Sequence, residues 1–312
     1  MKNEVNRALV AKKKLTILFA LLTLSAGLWA ETINGVKYID ANGQEQTADN
    51  VTVVTGASAT LSAGWYVVKG TDVRTGGLVC NGAVHLILAD GAKLTSTGTK
   101  EDPGIQVFVE GNSLTIYGQA NQSGQLIATG GDTGAAGIGG REFGNSSNIT
   151  INGGLVIANG GNGGAGIGGG FRGSGSNITI NGGTVTATGG KDAAGIGGGF
   201  EGSGSNIKVA TNRLVKAGEE ENPTEEIATD RTDDTDIASD LAGKRYVTVG
   251  DNPAYNAGYA RGLEEGKAAA KAELPTDPEG TAGHTVTITK GDKTLILVNP
   301  DKVTYGKQEQ AQ

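Results

Sequence analysis

The chain has 312 residues and is short of several things. It has a single cysteine, Cys80, so it can form neither an intramolecular disulfide nor a zinc site built on cysteines. Cys80 lies in the apolar-rich run Gly77-Leu78-Val79-Cys80, which reads as a small buried hydrophobe and not as a reactive thiol. Aromatic residues make up 4% of the chain, and there are 6 prolines and 2 histidines. A thick enzyme-like core therefore lacks its filling. A collagen helix lacks both its proline and its glycine at every third position. Basic charge is scarce too: 26 Lys and Arg face 33 Asp and Glu, for a net charge of −7. That balance argues against a nucleic-acid partner, whose binders carry a basic face. Beyond residue 30, no apolar run is long enough to cross a bilayer.

Glycine is abundant, with 54 residues, well above the usual share of roughly 7%. Short runs of Ile, Val and Leu recur between the glycines, which excludes wholesale disorder. At the N-terminus, Lys12-Lys13-Lys14 precede the apolar stretch Leu15–Leu24, and small residues lead to Ala30-Glu31. This order predicts a signal peptide over residues 1–30, cleaved after Ala30, and an exported mature chain, extracellular or at the cell surface, with the periplasm as the alternative. No transmembrane segment is expected once the signal is removed.

The next signal is a repeat. Ala136-Gly137-Ile138-Gly139-Gly140 recurs at Ala165–Gly169 and Ala194–Gly198, 29 residues apart each time. Asn148-Ile149-Thr150-Ile151-Asn152-Gly153-Gly154 recurs at Asn177–Gly183, and Asn206-Ile207-Lys208-Val209 continues the series. A fixed period of this size marks a solenoid. Ile-Thr-Ile and Thr184-Val185-Thr186-Ala187-Thr188 alternate with period two, which is a strand pattern. Three strand candidates per unit, Ser176–Asn181, Thr184–Thr188 and Ala193–Gly197, are joined by glycine-rich corners. The fold class read from this is all-β: a right-handed parallel β-helix of about six coils, with handedness taken from the general rule for parallel crossovers.

Like side chains should stack inside, one per coil. The expected columns are Ile138, Ile167 and Ile196; Ile149, Ile178 and Ile207; Ile151, Ile180 and Val209; and Val156, Val185 and Leu214. Ala136, Ala165 and Ala194 let the third wall come close. Asn148, Asn177 and Asn206 should form a corner ladder of amides in left-handed conformation. The β-helix is expected over residues 31–218, with its sharpest repeats at 130–218 and irregular coils before them. Residues 219–240 hold ten acidic residues against one base, Arg231, so 219–250 reads as a solvated acidic linker. Calcium binding there lacks the spaced Asp-x-Asp-x-Asp-Gly loop. Residues 251–312 read as a module with a helix over 253–273 and a hairpin of Thr285–Thr289 and Thr294–Val298.

Chemistry is sparse. The repeat walls carry almost no ionisable groups, and no carboxylate pair of the glycosidase kind can be nominated on one face. The run Gly163–Gly170 is not followed by Gly-Lys-Ser/Thr, so it is no phosphate loop. His85 and His284 read as structural or exposed. Thr184, Thr186 and Thr188 suggest an ice-binding ladder, but one coil back stand Leu155, Ile157 and Asn159. The better binding candidates are Phe171 and Phe200, 29 residues apart after the glycine run, with Arg172 beside them and Phe143 one step out of phase. An exposed aromatic row of this kind offers stacking surface to sugar rings.

The blocks Gly195–Gly199 and Asn177–Gly190 resemble the glycine-rich β-helix repeats of exported bacterial adhesin-like and carbohydrate-binding-like proteins. The resemblance is strong over about residues 130–218 and looser over 51–130. It implies a cell-surface or secreted protein with a glycan or host-surface ligand. It supplies no catalytic residue. The functional expectation is thus a non-catalytic β-solenoid in adhesion or carbohydrate binding, with no cofactor and no metal. Two alternatives stand beside it. One is a β-helix polysaccharide lyase or glycoside hydrolase using Lys69, Asp72, Arg74, Asp90 and Lys93. The other is a structural spacer that displays the C-terminal module.

Overall fold

The computed structural model describes residues 31–56, 58–107, 111–227 and 232–257, residues 261 and 264, and the strands Thr285–Lys290 and Lys293–Val298. The expected signal segment, most of the expected C-terminal helix and His284 lie outside the described residues. The chain divides into two units at residue 251.

The first unit is a parallel β-helix of three walls. The first wall stacks the C-terminal halves of Thr60–Val68 and Leu78–Leu88, then Ser113–Gly118, Ser146–Ile151, Gly175–Ile180 and Gly204–Val209. The second wall stacks Thr71–Thr75, Lys93–Thr97, Gln125–Thr129, Leu155–Asn159 and Thr184–Thr188. The third has short strands, among them Ile105–Gln106, Ile138–Gly139, Ile167–Gly168 and Ile196–Gly197. Every one of these pairings is parallel.

Period-two alternation decides what fills the interior. Ile149, Ile178 and Ile207 pair in register and are buried, as are Ile151, Ile180 and Val209. Ile138, Ile167 and Ile196 form the third-wall column, which Leu78 and Ile105 extend toward the N-terminus. The third wall lies against its neighbours too closely for side chains. A Cβ on Gly139 would overlap the carbonyl oxygen of Gly168, and one on Gly168 that of Gly197; both glycines have φ near +135°, at 138° and 134°.

Corner amides run along the stack. Asn148, Asn177 and Asn206 have φ of 61°, 51° and 49°. Asn177 Nδ2 donates to Asn148 Oδ1 at 3.1 Å, and Asn206 Nδ2 to Asn177 Oδ1 at 2.6 Å. A second ladder joins Asn181 Nδ2 to Asn152 Oδ1 at 2.8 Å.

Two expectations need correction. Leu214 is half-exposed and does not continue the column of Val156 and Val185; Val215 is the buried residue. The corner between Val209 and Val215 holds one residue more than the corner between Ile180 and Val185. With side chains alternating face at every step, one inserted residue moves the whole strand's inward set by one. Nor does Arg213–Gly218 lie directly on Thr184–Thr188. Tyr246–Asp251 inserts between them, antiparallel to both, so the column runs Val156, Val185, Val249, Val215. The acidic segment is a solvated linker only in part: residues 219–226 are exposed apart from the half-buried Pro223, but from Ile227 onward its apolar residues return to the stack. Ile227, Ile237, Ala238, Leu241, Val247 and Val249 are buried in the main core, and the short helix Ala238–Leu241 covers the end of the first wall.

The N-terminal end is closed differently. Thr32–Ile33 pairs antiparallel with Val51–Val53, which starts the first wall. The hairpin Val36–Ile39 with Glu45–Ala48 packs on that wall's outer face over Val67, Ile87 and Tyr117. In the second unit, residues 253–257 are helical, and Thr285–Lys290 pairs antiparallel with Lys293–Val298.

The register shift has a direct test. Val215→Ala should lower unfolding free energy by about 1–3 kcal/mol, while Leu214→Ala should stay within about 0.5 kcal/mol of the parent. Urea denaturation followed by circular dichroism measures both, and the reverse order would restore the 29-residue phase at Leu214.

Candidate functional site

The corner between the third and first walls follows each glycine run. Here the backbone turns through a left-handed residue once per coil: Phe143, Arg172 and Glu201, with φ of 59°, 58° and 56°. Their N–H groups occupy one register, Phe143 donating to Phe171 O at 2.9 Å and Arg172 to Phe200 O at 2.8 Å. Phe171 and Phe200 stand one residue earlier in this register, which explains why Phe143 is a step out of phase.

The structure brings all four expected site residues together. The rings of Phe171 and Phe200 stack at 5.2 Å with an interplanar angle of 15°. Phe143 meets Phe171 edge-on at 5.7 Å and 89°. The Arg172 guanidinium lies 5.3 Å from the Phe171 ring centroid, and its Nε donates to Glu201 Oε2 at 2.8 Å. One face of Phe171 is thus taken by Phe200, and its surroundings by Arg172 and Phe143. The most exposed ring is Phe143, at 63%, while Phe171 and Phe200 are half-buried. The row is a ridge with an exposed ring at one end and an exposed ion pair at the other, not an open stacking platform along its length.

A left-handed conformation costs a residue with a side chain roughly 1–2 kcal/mol, and Gly or Asn is the usual occupant. The neighbouring corner follows that usage with Asn148, Asn177 and Asn206. The ridge does not. Lys100, Gln122 and Asp192 also take this conformation at other corners; what sets the ridge apart is that its left-handed residues are the exposed Phe143 and the exposed Arg172–Glu201 pair, which is worth only about 0–1 kcal/mol to folding.

The charged residues of the catalytic alternative are engaged elsewhere. Asp72 and Arg74 point into the N-terminal end of the coil as a buried ion pair at 2.8 Å. Arg74 also donates to the carbonyls of Thr55 (2.9 Å) and Ser58. Asp90 accepts the N–H groups of Asn121 and Ser123, fixing a corner. Lys69 is exposed on a turn, and Lys93 is half-buried on the second wall. These five residues do not converge on one point. Among the described residues no group of His, Cys, Asp and Glu could hold a metal ion, and no helix is long and apolar enough to cross a membrane. Cys80 is buried, which pushes its thiol up to about 12.

One cluster escaped the sequence reading. Tyr38, Trp65, His85 and Tyr117 meet on the outer face of the first wall. Trp65 stacks on His85 at 4.4 Å, and Tyr38 lies 4.8 Å from Trp65 and 4.7 Å from Tyr117. His85 Nδ1 and the Tyr117 hydroxyl are 3.1 Å apart. Burial lowers the pKa of His85, keeping the ring neutral. The four residues lie on separate elements, and only the coil register (Trp65 beside His85) unites them.

Comparison with known families matches residues 149–171 and 178–200 to a model described as Beta helix repeat. Each matched stretch runs from the first wall to the ridge phenylalanine of the next corner. The chain therefore carries β-helix repeats in its two most regular units. Comparison with curated proteins and with solved structures gives no match.

Two measurements check this account. Phe143→Gly should leave stability unchanged or raise it by up to about 1 kcal/mol, while Phe143→Val should lower it by about 1–2 kcal/mol, because a β-branched residue tolerates φ > 0 least. Chemical denaturation reads both. For His85, the folded pKa lies below the unfolded value of about 6.5, so the unfolded chain takes up the proton first. Its stabilising share is complete above that value and falls away as pH drops through the folded pKa. His85→Phe should flatten the loss of melting temperature between about pH 7 and 5; an unchanged slope would remove His85 as its source.

Proposed function

We propose that the protein is exported and acts by contact and not by catalysis, binding carbohydrate through the ridge of Phe143, Phe171, Arg172, Phe200 and Glu201, at a cell surface or as a secreted protein. The observation that carries this reading is the strained left-handed column. Three successive coils place a phenyl, a guanidinium and a carboxylate where Gly or Asn would cost less. An exposed aromatic face packs against the C–H face of a sugar ring, and a neighbouring guanidinium and carboxylate donate to and accept from its hydroxyls. The repeats hold these groups in a fixed array at the coil spacing of about 4.8 Å, so the ridge suits an extended chain better than a single ring. The export signal read over residues 1–30 and the resemblance to adhesin-like repeats support the location.

The test is a glycan array probed with the mature chain and with Phe143→Ala and Arg172→Ala. Each variant should weaken retention about tenfold or more, the equivalent of roughly 1.4 kcal/mol. Parallel incubation with pectin and alginate should release no new unsaturated or reducing ends. Equal retention by parent and both variants would overturn the ridge as the binding edge, and released ends would overturn the non-catalytic reading.

A further inference from the structure

In the third wall each circuit passes its hydrogen bonds to the next. Ile138 N–H donates to Gly166 O at 2.9 Å and Ile167 N–H to Gly195 O at 2.8 Å. Gly140 donates to Gly168 O and Gly169 to Gly197 O, both at 2.9 Å. Around the corner Arg172 donates to Phe200 O at 2.8 Å and Gly175 to Ser203 O at 2.9 Å. The equivalents in the last circuit are the N–H groups of Ile196, Gly198, Glu201 and Gly204. Among the described residues none of the four meets an acceptor.

The other two walls are closed at this end. On the second wall Tyr246–Asp251 pairs with Thr184–Thr188, Arg213–Gly218 pairs beyond it, and Glu225 and Ile227 bond to the outer edge of that strand. On the first, Asp236 accepts the N–H groups of Asn206 and Ile207, both at 2.8 Å, and Ile237 N–H donates to Ile207 O. Burial works against the charge of Asp236, but these bonds and that from Ala238 outweigh it and hold the carboxyl below its ordinary range. The third wall is covered only as far as Gly195, whose N–H donates to Lys244 O at 2.8 Å.

Beside the uncovered edge lies a cleft of about 470 Å³, walled on its far side by Ala238, Ser239, Leu241 and Ala242. Its lining carries three carboxylates, Asp192, Glu201 and Asp236, and no basic side chain. The seat of a further strand is vacant in shape as well. A Cβ on Gly197 would come no nearer than 3.6 Å to any atom, whereas at Gly139 and Gly168 the next coil fills that space. Ile196 is 1% exposed and Gly197, Gly198 and Gly199 are buried, so two of the unmet donors sit on buried residues. Buried backbone N–H groups are almost always paired.

We propose that this edge receives one further β-strand supplied by a partner polypeptide, an extended segment bearing Lys or Arg. The carbonyls of the added strand accept from Ile196 and Gly198, two residues apart as a ladder requires, and its basic side chains meet the three carboxylates. Strand addition of this kind draws affinity from main-chain bonds and specificity from the flanking side chains. The site shares Glu201 with the carbohydrate ridge, where its carboxylate is paired with Arg172, but its main-chain donors at Ile196 and Gly198 lie outside the ridge and stand whether or not the ridge binds sugar.

The test uses the full mature chain and a fluorescent six-residue peptide of alternating Thr and Val flanked by Lys. Controls are the same peptide flanked by Glu and one N-methylated at alternate residues. The Lys peptide should bind saturably and slow amide exchange at residues 196–204 at least tenfold. Ser239→Trp and Ala242→Trp, both exposed positions on the far wall, should weaken it at least tenfold without moving the unfolding midpoint. Absence of protection at 196–204, equal binding of either control peptide, or full binding to both Trp variants would overturn the proposal. So would protection of the same amides by self-association alone, seen as concentration-dependent sedimentation without peptide.

Discussion

The close approach of successive coils in the third wall governs the rest of the molecule. Where Gly139 and Gly168 pass the next coil, any side chain would occupy the position of a backbone carbonyl oxygen. Glycine is compulsory there, and its conformational cost is recovered only because each strand is hydrogen-bonded to its neighbours on both sides. With one wall so thin, the interior is too narrow for aromatic rings. Columns of Ile, Val, Leu and Ala fill it, with like on like in the most regular coils (Ile149 on Ile178, Val156 on Val185) and mixed pairs such as Leu114 on Ile149 before them. The Phe ridge and the cluster around Trp65 accordingly lie on the outside, and among the described residues Tyr66 packs against the core only at its N-terminal end.

A stack held together in this way has regular sides and difficult ends, and the ends are where its polar chemistry is concentrated. At the start, the buried pair of Asp72 and Arg74 stands in register with Leu94 and Ser96 of the next coil, and Arg74 binds the carbonyls of the loop above. At the finish, Asp233 and Asp236 accept the N–H groups of Thr211, Asn206 and Ile207. Acids suit this task because the last coil presents donors with no following strand, and a carboxylate accepts several at once.

The same facts explain what the sequence disclosed. The interior columns at Ile138, Ile149 and Ile151 and their successors were legible because the repeat preserves both residue type and spacing. The amide ladder of Asn148, Asn177 and Asn206 was legible for the same reason, as was the grouping of Phe171, Arg172 and Phe200. The capping role of residues 232–251 was not legible, because a segment that closes a stack is used once and leaves no period. Its acids looked like those of a solvated linker, since an Asp that caps backbone donors has the same composition as one in water. Leu214 was misplaced by a single inserted corner residue, which changes no composition and reverses an entire strand. The cluster of Tyr38, Trp65, His85 and Tyr117 draws on elements up to 79 residues apart, counting from Tyr38 to Tyr117, and carries no local pattern at all.

The two different closures also constrain how such a protein changes size over generations. The interior coils spanning Ile138 to Thr188 share one register, so gain or loss of a unit there leaves both lids untouched and alters length by about 4.8 Å. Because Tyr246–Asp251 runs opposite to both strands it joins, Thr184–Thr188 and Arg213–Gly218, the parallel stacking of the second wall stops there. Descendants of this chain should therefore vary in reach by duplication within the middle, while inheriting the terminal pieces intact.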